Sequence, residues 1–574
     1  MIREVVSLLV VFAVFLPVSV RAQLPESVSP GAVQKSLEGR KSVSPGLQKE
    51  IPLELPRHEK GGKRIQKGVK ILVRRFEFKG NKVLSGSYLE GIVKGYLNRE
   101  LSFSDLEEVC RKIEAVYREK GYFLAQAIIP PQEVKGGVVV IKVLEGRLGK
   151  VEVEGERHYK ERFIKGHFKP TESGVINYHR LLKTLLLLNE HPDLKVHATL
   201  KRGEAPGTTD ILLKVQDRWP VHFYLDYNDF GTRYVSRHRF GSALECSNVL
   251  LQGDTFKFRG VVGSPIKQLQ FVKFEYTFPL GTSDTKLGIH YTYLTYKVGR
   301  EFRVLDLRGK SKIFTVDLIR PVVRTRRSIL DVGVAFDYKQ IRDYLLGQVT
   351  SDDELRIVRA LARYSHLDRL RGRNQIYLEW SWGIPYILAG SKRVDPRASR
   401  LGAGGSFLKA ELQLQRVQWL PFGTYLVLRG GGQLSWNDLP ISEQYSIGGA
   451  DSVRGFESSA YLGDSGYSGS IEWYVPPPII GNWKSPFLKG EKIKQAIKLV
   501  GFFDYGRIFL RDPQPGEYKN VGIAGVGCGL RMELPLGFEC RVDVGFPVGG
   551  VRPRKGSANG EKYRIYLQVS KKVF

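Results

Sequence analysis

Apolar and polar residues alternate with a period of two through most of the chain between residues 219 and 574. The alternation is clearest over residues 221–227, 272–278 and 499–505, and it is typical of strands with one apolar face. A membrane-crossing strand needs about ten residues, so this part of the chain accommodates about 16 strands with generous loops. An open sheet edge in lipid would leave backbone groups unsatisfied, so the sheet must close. We therefore predict a transmembrane antiparallel β-barrel over residues 219–574.

Two copies of a smaller pattern precede the predicted barrel. In the first copy, residues 71–81 alternate as a strand that ends in a turn at Gly80. Ser104 and Glu107 form a predicted capping box, and the helix that follows ends at Gly121. The remaining elements of this copy are two strands, over residues 123–129 and 138–144.

The second copy repeats the first strand over residues 151–156, with Gly155 in register with Gly80. Asn177 is the predicted start of a helix around residues 178–188, and two strands follow near residues 194–200 and 209–215. The result is two tandem α+β modules of βααββ order. Such a module leaves one edge strand unpaired, and this edge could either receive an extended peptide or contact the neighbouring module.

The N-terminal residues 1–22 have the features of a secretory signal peptide. Arg3 precedes an apolar run over residues 5–20, and Ala22 offers a small-residue cleavage site. A signal anchor is the alternative, but Pro17 and Arg21 cut the run short of the roughly 20 residues that a spanning helix needs. Residues 23–68 are rich in Ser, Pro, Gly, Lys and Glu and cannot bury a core alone, so they form a linker with one helical candidate over residues 30–38.

Composition and charge narrow the class of protein. A mean hydropathy of −0.22 suits both a soluble exported protein and a membrane barrel. The 62 glycines, 27 tyrosines and 29 phenylalanines favour the barrel, because glycines serve turns and aromatics serve lipid-facing girdles. A net charge of +30 would suggest nucleic acid in a cytoplasmic protein. Predicted export and the dispersal of the basic residues argue against nucleic acid. They indicate a basic bore and contacts with anionic outer-membrane lipid or lipopolysaccharide.

The four cysteines show no CxxC or Cys/His metal spacing. Cys528 and Cys540 sit symmetrically about residues 534–535, so a hairpin could oppose them in a disulfide. Both cysteines also fall on the same strand face as nearby apolar residues. This favours the interpretation that they are small lipid-facing side chains. We expect no metal and no cofactor.

An arginine in a glycine-rich loop is the sharpest candidate for function. Arg454 lies between segments that alternate, and the glycines around it let the backbone fold the loop into the barrel. The alternation of its strand turns Asp504 toward the bore, where it could pair with Arg454. The alternative is that Arg454 is a solvated arginine of an ordinary loop. Gly525, Gly527 and Gly529 share this facing and offer bare backbone for the loop tip. The loop motif comprises Gly448, Gly449, Val453, Gly455 and Phe456, and the motif on the later strand comprises Phe503 and Gly506.

Several short motifs resemble the signature of two-partner secretion transporters (the TpsB family), which are relatives of the barrel-assembly proteins. They are Gln433-Leu434-Ser435, Leu439-Pro440, Glu443-Gln444-Tyr445, Gly448-Gly449, Ser452-Val453-Arg454-Gly455-Phe456, Phe503-Asp504-Tyr505-Gly506, Asn228-Asp229-Phe230-Gly231-Thr232 and Tyr276-Thr277-Phe278-Pro279-Leu280-Gly281. The resemblance covers almost all of the mature chain. It departs from the family in a linker with few proline runs and in a last strand whose alternation breaks at residues 570–572.

The resemblance implies an outer-membrane translocator that is inserted by the barrel-assembly machinery. Its two modules would be polypeptide-transport-associated (POTRA) domains in the periplasm, which receive an unfolded exoprotein client. The helix over residues 30–38 would plug the bore, and Arg454 of an inward-folded loop would face Asp504. The client-binding edge would be Phe123, Leu124, Ala125, Gln126, Ala127, Ile128 and Ile129.

The predicted domains are residues 1–22 (signal peptide), 23–68 (plug helix and linker), 69–147 and 148–218 (POTRA domains), and 219–574 (barrel, with the inward-folded loop around 446–466).

No catalytic motif stands out, and we expect a protein that is not an enzyme. Residues 463–466, Gly-Asp-Ser-Gly, resemble a serine-protease loop, but no histidine lies in a matching context and a four-residue match is expected by chance. The alternatives to a translocator are a membrane-protein insertase of the same superfamily, a passive porin-like channel and a soluble exported binding protein.

Overall fold

The computed structural model describes residues 26–38, 53–54, 70–168, 174–281, 284–479, 481–484, 492–549 and 562–574. They form two compact units: the tandem modules, and the barrel together with the helix at its N-terminal side. The predicted signal peptide lies outside the described residues. Before the modules come helix α1 (Pro30–Glu38) and the short strand β1 (Leu53–Glu54).

The first module has a three-stranded sheet in the order β3-β6-β5 and a separate two-stranded ladder of β2 and β4. Strands β3 and β6 are parallel, whereas β5 and β6 are antiparallel. Phe76, Ile113 and Ile141 are among the fully buried side chains of its core. The elements are β2 (Lys70–Val73), β3 (Arg75–Lys79), α2 (Gly86–Val93), β4 (Arg99–Ser102), α3 (Phe103–Glu119), β5 (Gln126–Ile128) and β6 (Val138–Leu144).

Helix α3 begins two residues earlier than the sequence predicts. Ser102, not Ser104, is the N-cap, and its hydroxyl accepts the N–H of Asp105 at 3.3 Å. Asp105 Oδ2 in turn accepts the N–H of Ser102 at 2.8 Å, which completes a reciprocal capping box. The predicted box with Glu107 was wrong because Phe103 already has helical geometry, and Asp105 fills the acceptor role that Glu107 was expected to take.

The second module packs two helices on a four-stranded sheet in the order β1-β8-β9-β7. Asn177 caps α5, as predicted, by accepting the N–H groups of His179 and Arg180. The linker strand β1 runs parallel to β8 and occupies that edge of the sheet. The elements are β7 (Arg147–Glu154), α4 (Glu161–Gly166), α5 (Tyr178–Leu188), β8 (Leu194–Arg202) and β9 (Thr208–Asp217). The βααββ order predicted for both modules is confirmed.

Sixteen strands close into a single antiparallel barrel, as the alternation predicts. The chain enters it at β10 and ends in β27, and these two strands pair to form the seam. The first half comprises β10 (Val221–Asn228), β11 (Arg239–Ser247), β12 (Thr255–Gly263), β13 (Leu269–Pro279), β14 (Lys286–Lys297), β15 (Arg308–Arg324), β16 (Ser328–Leu345) and β17 (Gln348–Leu367). The second half comprises β18 (Gly372–Gly383), β19 (Phe407–Trp419), β20 (Tyr425–Ser435), β23 (Ser465–Val475), β24 (Ile497–Phe509), β25 (Asn520–Leu534), β26 (Phe538–Val548) and β27 (Arg564–Lys572). Strands β21 (Tyr445–Ile447) and β22 (Tyr461–Gly463) form a separate hairpin between β20 and β23, and helix α6 (Ile493–Ala496) precedes β24.

The two faces of the barrel wall differ in polarity. On β18, Trp380 and Trp382 are exposed on the outer face, whereas Glu379 and Ser381 are buried on the inner face. This is the arrangement that a barrel in lipid requires, since apolar side chains face lipid and polar ones face the bore. Among the helices that the structure describes, none has the length and apolar character needed to cross a membrane.

The structure excludes the disulfide that the cysteine spacing allowed. All four cysteines are free. The turn between β25 and β26 is centred near Leu536, so Cys528 lies opposite Val544 and Cys540 lies opposite Met532. The predicted centre was two residues too early, and the two thiols are therefore offset along the hairpin.

Candidate functional site: an inward-folded loop and its charged cluster

The loop between β20 and β23 turns back into the barrel. Its hairpin of β21 and β22 carries a tip over residues 448–460, which is buried against the inner wall except at Asp451 and Ser452. Gly448, Gly449 and Gly455 have φ values of 105°, 102° and 100°, which side chains with a Cβ rarely adopt. An added Cβ at Gly448 would lie 2.6 Å from a carbonyl oxygen within the loop. These glycines therefore permit both the turns of the tip and its close packing.

Arg454 and Asp504 are paired inside the barrel. Arg454 Nε and Nη2 donate to the two oxygens of Asp504 at 2.7 and 2.8 Å, and the backbone N–H of Arg454 donates to Oδ2 at 3.0 Å. Ser470 Oγ donates to Asp504 Oδ1 at 2.6 Å, and the guanidinium lies 3.4 Å from the ring centre of Phe502. The Arg454 and Asp504 side chains are 2% and 0% exposed. This bidentate, desolvated contact locates the loop by both charge and geometry.

The pair belongs to a larger cluster of charges on five neighbouring strands. Arg454 Nη1 also lies 2.7 Å from Glu472 of β23 and 3.6 Å from Asp543 of β26. Arg429 of β20 contacts Glu472 at 2.9 Å, and Arg531 of β25 contacts Asp543 at 2.7 Å. Sequence reasoning missed Glu472 and Asp543, although the parity of their strands places both on the bore side. Parity gives the face of a residue, but it does not tell which residues of other strands lie nearby.

The loop packs closely against glycines of the barrel wall. An added Cβ at Gly525 of β25 would lie 1.9 Å from the carbonyl oxygen of Arg454. An added Cβ at Gly545 of β26 would lie 2.6 Å from the backbone nitrogen of Gly455. The predicted bare backbone is therefore present at Gly525. Gly527 and Gly529 share its facing but lie against residues of adjacent strands. Gly545 was not predicted, because the register between β25 and β26 was unknown.

The remaining motif residues separate into two groups. Val453 and Phe456 are buried at 0% and 1% exposure, in a cluster with Ile447. Gly506 of β24 faces this cluster, since an added Cβ would lie 3.0 Å from side-chain atoms of Ile447 and Val453. Phe503 is 48% exposed and points to the outer face, away from the loop. The strand motif therefore contributes to the site through Asp504 and Gly506.

The aspartate of the Gly-Asp-Ser-Gly segment accepts hydrogen bonds from several loops at the base of the inward-folded loop. Asp464 is 1% exposed and accepts two bonds from Arg400 Nη1, at 3.0 and 2.8 Å. It also accepts the N–H groups of Leu439 and Arg511 at 2.9 Å each. These donors come from three different loops, which Asp464 joins at the base of the inward-folded loop.

Helix α1 lies against the inner wall and the loop. Arg239 of β11 donates to the carbonyl and hydroxyl oxygens of Ser36 at 3.1 and 2.9 Å. Ser311 of β15 donates to Gln34 at 3.0 Å, and the side chain of Val33 packs in a buried cluster with residues of the wall. The helix is therefore held by polar bonds at its middle and last turn and by apolar contacts at its middle.

The predicted client edge is shorter in the structure than in the sequence. Strand β5 contains Gln126, Ala127 and Ile128, which pair with β6 on one side only among the described residues. The N–H of Ala127 donates instead to Glu114 of α3 at 3.0 Å.

The residues on either side of β5 have packing roles. Phe123 and Leu124 lie outside the strand and pack against the core of the second module. Ala125 is buried and Ile129 packs partly against the core of the first module. A contact between modules and an open edge are thus both present, in adjacent parts of the predicted segment.

The chain is similar to known proteins over most of its length. A model of the ShlB-type POTRA domain matches residues 71–146, and a model described as haemolysin secretion/activation protein ShlB/FhaC/HecB matches residues 207–532. The heme/hemopexin transporter protein HuxB of Haemophilus influenzae is 24% identical over 504 residues, which cover 84% of this chain and 83% of HuxB. The outer membrane transporter CdiB of Dickeya dadantii is 21% identical, with 71% and 74% of the two chains covered. The solved structure of CdiB from Escherichia coli shares the fold, with a TM-score of 0.76 at 19% identity over 95% of this chain and 98% of that one. Because the second family model matches more than half of the chain, the chain belongs to the haemolysin secretion/activation protein family ShlB/FhaC/HecB.

Proposed function

We propose that this protein recognises an unfolded exoprotein in the periplasm through its POTRA domains and secretes it through the bore of its outer-membrane barrel. The observation that carries the proposal is the buried bidentate pair of Arg454 and Asp504 in a closed barrel that follows two POTRA domains. A passive porin needs neither periplasmic modules nor an inward charge pair. Membership of a secretion family supports the same conclusion.

Client recognition would begin at the edge of the first POTRA domain. Strand β5 has an open side, and an extended client segment could add to it through main-chain hydrogen bonds. The corresponding edge of the second domain is already occupied by β1 of the linker. The free edge therefore favours the first domain as the point of entry.

Passage through the barrel would require helix α1 to leave the bore. Its contacts with Arg239 and Ser311 are individually modest hydrogen bonds, each worth about 0.5–3 kcal/mol. A client that competes for the same space could displace it. No nucleotide is available in the periplasm, so folding of the emerging client outside the cell would drive export. The proposed activity thus needs no catalysis and no cofactor.

The remaining partners follow from the location. The outer face of the barrel would contact lipid and lipopolysaccharide, the barrel-assembly machinery would insert the chain, and nucleic acid would have no role. An insertase would use a similar barrel and loop, but its clients would stay in the membrane.

The proposal predicts that a reading frame beside this one encodes a large exported protein. Coexpression of the two should place that protein in the medium, and omission of this chain should leave it in the periplasm. Equal release with and without this chain would contradict the proposal. Recovery of the client in the outer membrane instead of the medium would favour the insertase.

A further inference from the structure

The ladder at the barrel seam does not extend to the first residues of the last strand, β27. Strands β10 and β27 are in register from Tyr224 opposite Lys572 to Asn228 opposite Gln568. One further exchange follows, in which Leu567 accepts the N–H of Asp229 and donates its own to the Asp229 carboxylate, at 3.1 and 2.7 Å. Beyond it, residues 564–566 pair with β26 but extend past the end of β10. Other contacts must therefore close this far end of the seam, opposite to where the chain enters the barrel.

The tip of the inward-folded loop contacts β27 at that place. Tyr566 is 0% exposed, and its hydroxyl donates to the carbonyl of Phe456 at 2.5 Å. The same hydroxyl accepts the N–H of Gly455 at 3.0 Å. One phenol thus joins the last strand to the two residues that directly follow the loop arginine.

The same tip also contacts the segment that follows β10. Ser458 Oγ donates to the carbonyl of Phe230 at 2.6 Å. The ring of Phe230 meets that of Tyr566 edge to face, with centres 6.0 Å apart, and both are buried with Ala450 of the loop. Arg564 crosses the seam directly by donating to the carbonyl of Gly231 at 2.8 Å. Contacts to both sides therefore converge on the loop tip.

We propose that the tip of the inward-folded loop holds the far end of the barrel seam closed, with Tyr566 and Ser458 as the positioning residues. The loop binds β27 through Tyr566 and the end of β10 through Ser458, so it replaces ladder bonds that the two strands do not make with each other. The charged cluster around Arg454 anchors the same loop to the strands preceding β27. Closure of the seam is thus coupled to the seating of the loop. This inference concerns the barrel at rest and needs no client.

Hydrogen exchange measured by mass spectrometry on the full chain in detergent tests the proposal. Tyr566→Phe keeps the buried ring but removes the hydroxyl, and Ser458→Ala removes the bond on the other side. Each should speed exchange of the amides in residues 221–231 and 564–572 by about tenfold, because a lost hydrogen bond lowers the free energy of local opening. Tyr377→Phe is the matched control: it removes a buried hydroxyl that contacts Glu379 on β18, away from the seam.

The outcomes separate cleanly. Faster exchange at the seam in both loop-contact variants, with an unchanged seam in the control, supports the proposal. Unchanged seam exchange in both Tyr566→Phe and Ser458→Ala overturns it, and so does an equal effect of Tyr377→Phe. Ser458→Ala tests the inference by itself should Tyr566→Phe fail to fold. Secretion is not the readout, so failure here is distinct from failure of the proposed function.

Discussion

Replacement of Arg454 by alanine should release the inward-folded loop while insertion of the barrel in the membrane remains largely intact. The side chain makes two bonds to Asp504 and an ion pair with Glu472, all within 2.8 Å and almost fully desolvated. Removal of one partner of a buried pair leaves the other charge uncompensated, at a cost of about 3–5 kcal/mol. At 1.4 kcal/mol for each factor of ten, the equilibrium for inward seating should fall on the order of 10²-fold to several thousandfold.

Two measurements check this prediction. Amide exchange in residues 446–466 reports the seating of the loop, and appearance of the client in the medium reports secretion. Both Arg454→Ala and Asp504→Ala should raise exchange and abolish secretion, and the double variant should cost less than the sum of the two. Arg454→Lys should restore function only in part, because an ammonium cannot reproduce the bidentate contact.

A matched arginine on the same strand as Asp504 provides the control. Arg507 of β24 is partly exposed and donates to Asn520, so Arg507→Ala should change neither loop exchange nor secretion. The reasoning is refuted if Arg454→Ala and Asp504→Ala both leave loop exchange and secretion at the level of the unmodified protein.

Four further predictions concern other parts of the chain. Gly525→Ala should unseat the loop and reduce secretion, because its Cβ would lie 1.9 Å from a loop carbonyl, whereas Gly501→Ala on the neighbouring strand meets open space and should have no effect. Arg239→Ala should loosen the last turn of α1 and raise ion conductance in planar bilayers; unchanged conductance would argue against its role in holding the helix. Glu114→Ala frees the edge N–H of β5 and should tighten binding of a client segment, measured by calorimetry, so weaker binding would contradict an edge-addition mode. Burial opposes the charge of Asp217, but three backbone N–H donors lower its pKa below the usual value. Its contribution to the free energy of unfolding should therefore be present above about pH 4 and be lost as acidification passes through the lowered pKa. Asp217→Asn should flatten that part of the stability profile, measured by denaturant unfolding.

The sequence by itself determined the classes of structure in this protein. A period of two over hundreds of residues is compatible with a barrel and its 16 strands, because each strand must present one face to lipid and one to the bore. Local signals also located the βααββ modules and the Asn177 cap, since capping depends on neighbouring residues only. Glycines around a lone arginine indicated a loop able to fold inward, and the parity of Asp504 indicated its facing.

Tertiary structure decided which distant residues meet. The cluster of Glu472 and Asp543 around Arg454, and the contact of Tyr566 with the loop tip, depend on the register and closure of the barrel. A shift of one residue in register would turn every side chain of a strand to the other face, and no local pattern fixes that register between strands. The offset of Cys528 from its expected partner has the same cause. Local sequence preferences determine the helices and strands, whereas the pairing of distant strands determines which residues meet in the charged cluster.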